Sequence, residues 1–262
     1  MNATGKYVVI LNPDTIVRKG WLEELIKPLK ARAGIITTPK ILIYDGSAIN
    51  TCGNINHFTG LTFTRGLGED PESYSGQEYV SGFSGCCFAM KNEDYLGLGG
   101  FDEKFFLYNE DSEFSWRANL KGFRILFVPT SIVLHDYKLK VQPEKLYYLE
   151  KGRYMILRKY VSGQEMAFLI PSLAMAEILT FGYSARLGFE GLECKIRALA
   201  HGLISEVSRE VGNKHDLYQS LNYTIPVDQL SSNPVDKLIK NIANRIFTWN
   251  LKVVKWYVFS SP

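Results

Sequence analysis

The stretch from residue 81 to residue 135 constrains the fold of this chain more than any other part of its sequence. It reads SGFSGCCFAMKNEDYLGLGGFDEKFFLYNEDSEFSWRANLKGFRILFVPTSIVLH. A loop of small residues at its start is followed by a group of carboxylates: Asp102, Glu103, Glu110, Asp111 and Glu113. A β-rich run then ends at a single histidine, His135. This combination makes the stretch the first place to look for a functional site.

Local signals place these groups on helices and strands. Asn92, followed by two acids, predicts a short capped helix that ends at Gly99–Gly100. A second helical pattern begins at Glu110 and stops at Gly122. The letters FRILFV and SIVLH predict two strands separated at Pro129, and the histidine lies at the end of the second strand.

Glu110 and Asp111 therefore fall in the first turn of a predicted helix, where the helix dipole favours negative charge. A carboxylate pair beside a glycine-rich loop is suited to act as a catalytic base. Acids are also common in the first turn for the sake of the dipole alone. The spacing leaves both interpretations open.

Composition limits the classes of protein to consider. The chain has 262 residues, of which 46% are hydrophobic and 22% charged, enough for one sizeable domain or for one domain with an appendage. Its net charge of +3 gives no overall field that would attract nucleic acid. Aromatic residues make up 13% of the chain, which argues against disorder.

The four cysteines are Cys52, Cys86, Cys87 and Cys194. An adjacent pair in an apolar strand resembles neither a zinc site nor a disulfide framework, so we predict buried small side chains in a reducing compartment. We expect no secretory signal peptide, because MNATGK leads directly into a strand.

The apolar letters KYVVIL at 6–11 predict a buried strand of the parallel-sheet type. The strand runs into Asn12, Pro13 and Asp14. Because ligands collect at the carboxyl ends of strands in open α/β sheets, Asp14 is well placed to hold a metal or a phosphate. The same letters are a good turn signal, and the sequence leaves this alternative open.

The next segments alternate between regular and irregular patterns. A helix is predicted with Trp21, Leu22, Leu25, Ile26 and Leu29 on one face, and a strand is predicted at 35–44. The polar, glycine-rich stretch 45–79 is expected to cover a site or to form a β-excursion, with a hairpin arm at 59–66.

Beyond His135 the pattern becomes helical. A helix is predicted at 143–161, followed by the apolar stretch 166–183, which is at the short limit for a membrane span and contains Pro171 and Glu177. A helix lying in the membrane interface, or packed on the domain, is an equal alternative. Residues 184–221 predict one amphipathic helix.

The last segment, 244–259, follows a turn-rich SSNP at 231–234. It combines aromatic side chains with basic ones: Trp249, Trp256, Tyr257 and Phe259 with Arg245, Lys252 and Lys255. This composition indicates contact with a membrane interface, and a helix packed on the protein body is the alternative.

Several pieces together resemble the family 2 glycosyltransferases with a GT-A fold, in particular the rhamnosyltransferase-like branch. They are YVVILNPDT at 7–15, RGLGED at 65–70, residues 80–117 and KGFRILFVPTSIVLH at 121–135, in the order and spacing of the family. The resemblance implies a metal-dependent, inverting transfer of a sugar from a nucleotide-sugar donor to a glycan or lipid-linked acceptor. It also implies synthesis of a polysaccharide or glycolipid.

The resemblance implies a donor and metal site at the end of the first strand. Residues 12–14 are similar to the D-x-D motif of the family, with Asn12 where many relatives have the first Asp. Asp14 would bind Mg²⁺ or Mn²⁺, which bridges the donor diphosphate. His135 matches a position that contributes to the metal or diphosphate site.

Roles on the acceptor side follow from the same resemblance. Asp111 matches the general base that takes the acceptor proton. Glu110 and Asp102 would line the acceptor pocket, and the loop of Gly82, Ser84 and Gly85 would face the sugars. Trp116 is expected in the core.

The implied fold class is α/β: the C-terminal part of a GT-A (Rossmann-like) domain at 1–140, followed by a helical, possibly membrane-associated region at 141–262. We expect the chain to lack the N-terminal nucleoside-binding part: either the sequence is a fragment or a mis-started reading frame, or a partner chain supplies that part, or the protein has lost catalysis. The expected location is cytoplasmic, peripheral at the inner face of the cell membrane, with no nucleic acid partner. The alternative function is a catalytically incomplete fragment or subunit that binds acceptor or membrane.

Overall fold

The computed structural model of the protein describes residues 3–137, 142–229 and 233–260. For residues 257–260 it describes the backbone only. The chain divides into two compact units. The first, here called the sheet unit, contains Met1–Ile55, Thr62–Lys104 and Glu110–Leu139. The second, the helical unit, contains Asn56–Leu61, Phe105–Asn109 and Lys140–Pro262. The simpler division after residue 140 stays a prediction.

The sheet unit is built on a mixed β-sheet. The main sheet consists of β1 (Tyr7–Leu11), β2 (Thr15–Val17), β3 (Ile35–Ile43), β4 (Ile49–Thr51), β7 (Glu78–Val80), β8 (Cys87–Lys91) and β9 (Arg124–His135). Two further strands, β5 (Asn54–Asn56) and β6 (Thr62–Thr64), form a separate hairpin. The order across the main sheet is β1-β8-β3-β9-β2, with β4 on β3 and β7 on β9. The helices are α1 (Trp21–Ala31), α2 (Asn92–Gly97) and α3 (Glu110–Leu120).

Helices cover both faces of this sheet. Leu25 and Leu29 of α1 pack with Ile41, Val128 and other apolar side chains of the sheet. Phe114 of α3 belongs to a separate cluster on the sheet. Two clusters with helices on different faces make the unit a layered α/β structure, as the sequence predicts.

The first strand differs from its prediction. Residues 6–11 are predicted as a buried strand of the parallel type, but β1 is antiparallel to β8 and is the terminal strand of the sheet order. In β1 only Val8 is buried. The prediction is wrong because an apolar run in the sequence indicates only that its side chains favour burial. It does not determine the direction of the strand or its position in the sheet.

The predicted break at Pro129 is also wrong. β9 is one strand from Arg124 to His135, and its register with β3 shifts so that Pro39 pairs with Val128 and Lys40 with Ile132. The residues between form a bulge, which accommodates a proline that has no N–H for the ladder. Ser131 in this bulge donates a hydrogen bond to the carbonyl of Trp21 at 2.8 Å.

Other predictions in the sheet unit are confirmed. β6 lies within the predicted hairpin arm and pairs with β5. Helix α2 ends before Gly99 and Gly100, which have φ angles of +83° and +67° that favour glycine. Trp116 is fully buried. Cys52, Cys86 and Cys87 are free and buried, and burial raises the pKa of the Cys86 thiol to about 12. Cys194, in the helical unit, is free but only half-buried, so the predicted burial is wrong for this residue.

The helical unit contains α4 (Pro143–Tyr160), α5 (Gly163–Arg186), α6 (Gly188–Ile204), α7 (Lys214–Ser220) and α8 (Pro234–Ser260). Helix α4 packs on α6, and α5 packs on α8 and α6. The single helix predicted at 184–221 is wrong, because α5 continues to Arg186 and Gly188, at φ +78°, starts a new direction. The predicted turn at 231–234 lies partly outside the described residues.

Helix α5 is the one helix of the described chain whose length and apolar composition would suffice to cross a membrane. Its mean hydropathy over the most apolar window is 1.5, and 22% of that window is buried within the protein. Length and composition alone do not distinguish a span from a helix that packs on its own unit.

Candidate active site

The first turn of α3 presents the carboxylate of Asp111 to three hydrogen-bond donors. Its Oδ2 accepts from the backbone N–H of Gly85 at 2.9 Å and from Nδ2 of Asn54 at 3.0 Å. Its Oδ1 accepts from the backbone N–H of Ser112 at 2.7 Å. Donors on both oxygens fix the orientation of the carboxylate and favour its ionised form.

Glu110 is placed differently from its neighbour. Its Oε2 is buried and has no hydrogen-bond partner among the described residues. Burial, and then the charge of Asp111, raises the pKa of Glu110 to about 7. Burial also raises the pKa of Asp111, against the effect of its three hydrogen bonds. Because both pKa values are raised, the pair holds a proton more tightly than isolated carboxylates do, and the three donors on Asp111 favour the proton on Glu110.

Asn54, at the start of β5, connects Asp111 to the loop before β8. Its backbone N–H donates to the carbonyl of Gly82 at 2.7 Å, and its Nδ2 also donates to the carbonyl of Phe83 at 3.0 Å. The side chain is 8% exposed. Sequence reasoning missed this residue, because it lies far from Asp111 in the chain and no local motif marks it.

The loop 81–87 approaches the carboxylate pair closely. A Cβ atom at Gly85 would lie 3.4 Å from both Cβ of Asp111 and Oε1 of Glu110. Ser84 stabilises the turn, because its Oγ accepts from the N–H of Cys86 at 3.2 Å. The structure thus brings Gly85 into contact with Asp111 and Gly82 into contact with Asn54, and a Cβ atom at Gly85 would lie at van der Waals distance from the pair.

Two other predicted carboxylates have contacts of their own. Asp102 accepts a hydrogen bond of 3.0 Å from the N–H of Lys104 within its own loop. Glu113 is fully buried and pairs with Arg117 at 2.7 Å. Arg117 also donates to the carbonyls of Leu98 and Gly100. Glu113 therefore holds α3 to the end of α2 and does not face a site.

A second group of polar residues lies where β2 pairs with β9. Thr15 is opposite His135 in this antiparallel pair. The register brings Oδ1 of Asp14 to 3.4 Å from Nε2 of His135. The side chain of Asp14 is 51% exposed and that of His135 is 8% exposed. The structure thus brings together the two residues predicted to bind metal.

Asn50 of β4 orients the imidazole of His135. Its Oδ1 lies 3.0 Å from Nδ1 of His135. An amide oxygen only accepts, so Nδ1 carries the proton and Nε2 presents a lone pair toward Asp14. Burial lowers the pKa of His135, against the charge of Asp14, so the neutral ring is favoured. Sequence reasoning missed Asn50 as it missed Asn54.

Asn12 links the two groups through the backbone. Its N–H donates to the carbonyl of Cys86 at 2.9 Å, and its carbonyl accepts from Oγ1 of Thr15 at 2.7 Å. Gly85 donates a hydrogen bond to Asp111 of the carboxylate pair, and the next residue, Cys86, accepts one from Asn12 of the 12–14 turn. Both groups therefore lie against the same loop.

Asp14 and His135 fit a divalent cation with open coordination positions. Ligand atoms 3.4 Å apart are compatible with two bonds of about 2.0 to 2.3 Å to one ion. Among the described residues there is no group of three or more His, Cys, Asp or Glu side chains that could enclose an ion. An ion at this position would take its other ligands from water and from a bound phosphate group.

Comparison with known proteins gives a consistent result. The family described as glycosyltransferase like family 2 matches residues 1–154. The chain is 26% identical over 164 residues to the O-antigen biosynthesis protein RfbC of Myxococcus xanthus, covering 58% of the chain and 13% of that protein. It is 24% identical over 141 residues to rhamnosyltransferase WbbL of Escherichia coli (strain K12), covering 51% and 53%.

Among solved structures, the chain is similar to GalNAc-T7 in its crystal structure with UDP, GalNAc and Mn²⁺. The TM-score is 0.50 at 19% identity, over 74% of this chain and 38% of that one. At this identity the likeness reports on the fold alone, and it confirms the predicted GT-A class. The chain spans between 13% and 53% of the length of the two curated relatives above.

Proposed function

Because the chain belongs to the glycosyltransferase-like family 2, we propose that it transfers a sugar from a nucleotide-sugar donor to a hydroxyl group of a glycan or lipid-linked acceptor, with inversion at the anomeric carbon. The observation that carries this proposal is the carboxylate pair at the start of α3. Three donors hold the carboxylate of Asp111 in place beside Glu110, whose pKa is raised to about 7.

Asp111 acts as the general base. In a single displacement the acceptor oxygen forms a bond to the anomeric carbon while the bond from that carbon to the diphosphate oxygen breaks. Oδ2 or Oδ1 of Asp111 takes the proton that the acceptor hydroxyl loses, and the leaving diphosphate retains the electron pair of the broken bond. In its protonated form, Glu110 donates a hydrogen bond to an acceptor oxygen.

The donor diphosphate lies at the turn after β1. Asp14 and His135 hold a divalent ion there, and Asn50 keeps Nε2 of His135 available as a ligand. Bound Mg²⁺ or Mn²⁺ would neutralise the departing diphosphate. The imidazole favours Mn²⁺, because Mg²⁺ prefers oxygen ligands more strongly. Asn12 supports the turn through its backbone.

The acceptor lies on the side of Asp111 that faces Gly82 and Ser84, with Asp102 as a further contact. We place the reaction at the cytoplasmic face of a cell membrane, in the assembly of a polysaccharide or glycolipid. The similarity to RfbC, which is named an O-antigen biosynthesis protein, supports this class of product.

Release of nucleoside diphosphate from a panel of nucleotide-sugars tests this function. The chain is incubated with Mn²⁺, with and without a lipid-linked glycan fraction, and the released diphosphate and labelled glycan are measured. We expect one donor to be used, with acceptor-dependent release that Asp111→Asn removes. Equal transfer by the Asp111→Asn variant would contradict the proposal, and Asp94→Asn, in the first turn of α2, is the matched control.

A further inference from the structure

Helix α5 exposes an apolar face along most of its length. Its buried stripe consists of Leu169, Ser172, Ala176 and Ser184. The opposite stripe is exposed and uncharged: Ala167, Pro171, Ala174, Ile178, Gly182 and Ala185. At 1.5 Å per residue this stripe is about 27 Å long. An uncharged face of this length is unusual on a helix that contacts only water.

Helix α8 exposes a stripe of a different composition. Four large apolar side chains project from it: Leu238, Ile242, Trp249 and Trp256, exposed by 60%, 46%, 60% and 70%. Arg245 and Lys252 lie in the same stripe and are exposed. Apolar, aromatic and basic side chains on one face are typical of a helix in a membrane interface. The side chains of Tyr257 and Phe259, predicted as part of this surface, lie outside the described residues.

The acidic side chains of α5 and α8 do not lie on the exposed stripes of these helices. Glu165 is 4% exposed and completes the capping box of α5 with Ser162. Asp236 is 6% exposed and pairs with Arg186. The third acid, Glu177, is paired within the helical unit. The charges that remain on the exposed stripe of α8 are basic, which suits an anionic surface.

Glu177 ties α5 to two neighbouring helices. Its Oε1 accepts from Nη2 of Arg153 on α4 at 2.5 Å, and its Oε2 lies 2.8 Å from Nζ of Lys195 on α6. Arg153 and Lys195 are 1% and 0% exposed, and Glu150 pairs with both. If α5 left the unit to cross a bilayer, two buried cations would share one carboxylate, which is strongly unfavourable.

Asn250 of α8 provides a second attachment of α5. Pro171 interrupts the backbone hydrogen bonding of α5, because its ring displaces the preceding turn. Nδ2 of Asn250 donates to the carbonyl of Phe168 at 2.8 Å, and its Oδ1 accepts from the N–H of Ser172 at 3.3 Å. The amide of α8 thus bridges two backbone groups on either side of the proline.

We propose that α5 and α8 lie in the plane of an anionic lipid bilayer, with their exposed stripes at the boundary between headgroups and acyl chains, and that α5 does not cross the bilayer. Trp249 and Trp256 enter the boundary, while Arg245 and Lys252 contact lipid phosphates. This inference specifies the membrane location included in the proposed function, and it is independent of the chemistry at Asp111.

Vesicle flotation tests the surface with the full chain. We expect binding to vesicles of phosphatidylcholine with phosphatidylglycerol, little binding to phosphatidylcholine alone, and weaker binding at high salt. The Arg245→Gln/Lys252→Gln variant should bind roughly 25-fold more weakly, since each basic residue near the surface contributes about a factor of five. Trp249→Ala/Trp256→Ala should also bind more weakly.

Two control variants restrict the expected loss of binding to this surface. Tyr44→Ala removes an aromatic side chain of the sheet unit that is 54% exposed, and it should leave binding unchanged. Asp111→Asn should bind vesicles like the wild type, so a loss of sugar transfer and a loss of membrane binding remain distinguishable. Equal binding of both vesicle types, or of the wild type and the Arg245/Lys252 variant, would overturn the inference. So would a dimer by light scattering that buries Trp249 and Trp256.

The orientation of α5 is tested in inside-out membrane vesicles from cells that produce the chain. Single cysteines replace Gln164, at the start of α5, or Glu190, an exposed residue just beyond its end, in a Cys194→Ser background, and a membrane-impermeant maleimide is added outside. An in-plane helix predicts labelling at both ends without detergent. Labelling at one end that requires detergent would show that α5 crosses the bilayer and would overturn the inference.

Discussion

Nδ2 of Asn54 donates a hydrogen bond of 3.0 Å to Oδ2 of Asp111, across 57 positions of sequence. The same nitrogen donates to the carbonyl of Phe83, so one side chain joins β5, the loop before β8 and the first turn of α3. The orientation and the pKa of the proposed base therefore depend on a strand outside the sequence motif that contains it.

The first prediction concerns Asn54→Ala. Its hydrogen bond lowers the pKa of Asp111, so removal of the bond raises that pKa further. Because the base must be ionised, the acid limb of the kcat/KM profile should move to higher pH, and the sheet unit should lose about 1 to 3 kcal/mol of stability. A pH-rate profile and urea unfolding measure the two effects.

Thr62→Val is the control for this change. Thr62 contacts Oγ of Ser112 at 2.9 Å, in the same turn of α3, so its removal perturbs this turn while the hydrogen bond from Asn54 to Asp111 is kept. The control should lose stability with an unchanged pH profile. If Asn54→Ala and Thr62→Val gave the same profile, Asn54 would have only a structural role.

Asp111→Asn gives the second prediction. The amide keeps the shape of the side chain but cannot take the acceptor proton, so turnover should fall by a factor of about 10² to 10⁴ while nucleotide binding is retained. Single-turnover transfer and calorimetry measure the two quantities. A loss of nucleotide affinity equal to the loss of turnover would assign Asp111 to the donor site.

The third prediction is a pH dependence of stability due to Glu110. Its pKa in the folded protein, about 7, lies above the ordinary 4.5, so the folded state binds the proton more tightly. The stability that this group contributes is fully present below pH 4.5 and is lost as the pH rises through 7, by at most about 3 kcal/mol.

Glu110→Gln removes this titration. The variant should be more stable than the wild type above pH 7, and the difference should vanish below pH 4.5. Urea unfolding from pH 4 to 9 measures both curves, a range that spans the ordinary and the raised pKa. Parallel curves at all pH values would mean that the carboxyl of Glu110 is not held protonated.

A fourth prediction concerns the support of His135. Asn50→Leu removes the acceptor for Nδ1–H and frees the ring to rotate or change tautomer, so Mn²⁺ affinity should fall by about 10- to 100-fold. Calorimetric titration of Mn²⁺ in the presence of a nucleoside diphosphate measures it. Asn92→Ala, which removes a side chain that bonds to the carbonyl of Ala3, should leave the affinity unchanged.

The sequence predicts the parts of the site that local signals encode. The start of α3 at Glu110 follows from acids at a helix dipole, and its end follows from Gly122. Asp14 and His135 were assigned through the resemblance to family 2, and the structure brings them together by pairing β2 with β9. The roles proposed for these residues remain predictions.

Long-range pairing accounts for what the sequence does not predict. Asn50 and Asn54 lie on strands of three residues within an irregular stretch, where no periodic pattern identifies the inward side chains. Their side-chain partners lie far along the chain, because Asn50 contacts His135, 85 positions away, and Asn54 contacts Asp111, 57 positions away. The direction of β1 was mispredicted for a related reason, because a strand's neighbours determine its direction and its own apolar residues do not.

Metal-dependent donor binding at Asp14 is tested most directly by calorimetric titration. UDP, GDP and dTDP are titrated into the wild type and the Asp14→Asn variant, with and without Mn²⁺. We expect one nucleotide to bind the wild type only when Mn²⁺ is present. Asp14→Asn should abolish this binding, whereas the control Asp45→Asn, at an exposed turn, should retain it. Binding that is independent of Mn²⁺ and unchanged in Asp14→Asn would contradict the account. So would the absence of binding to a fully folded wild type.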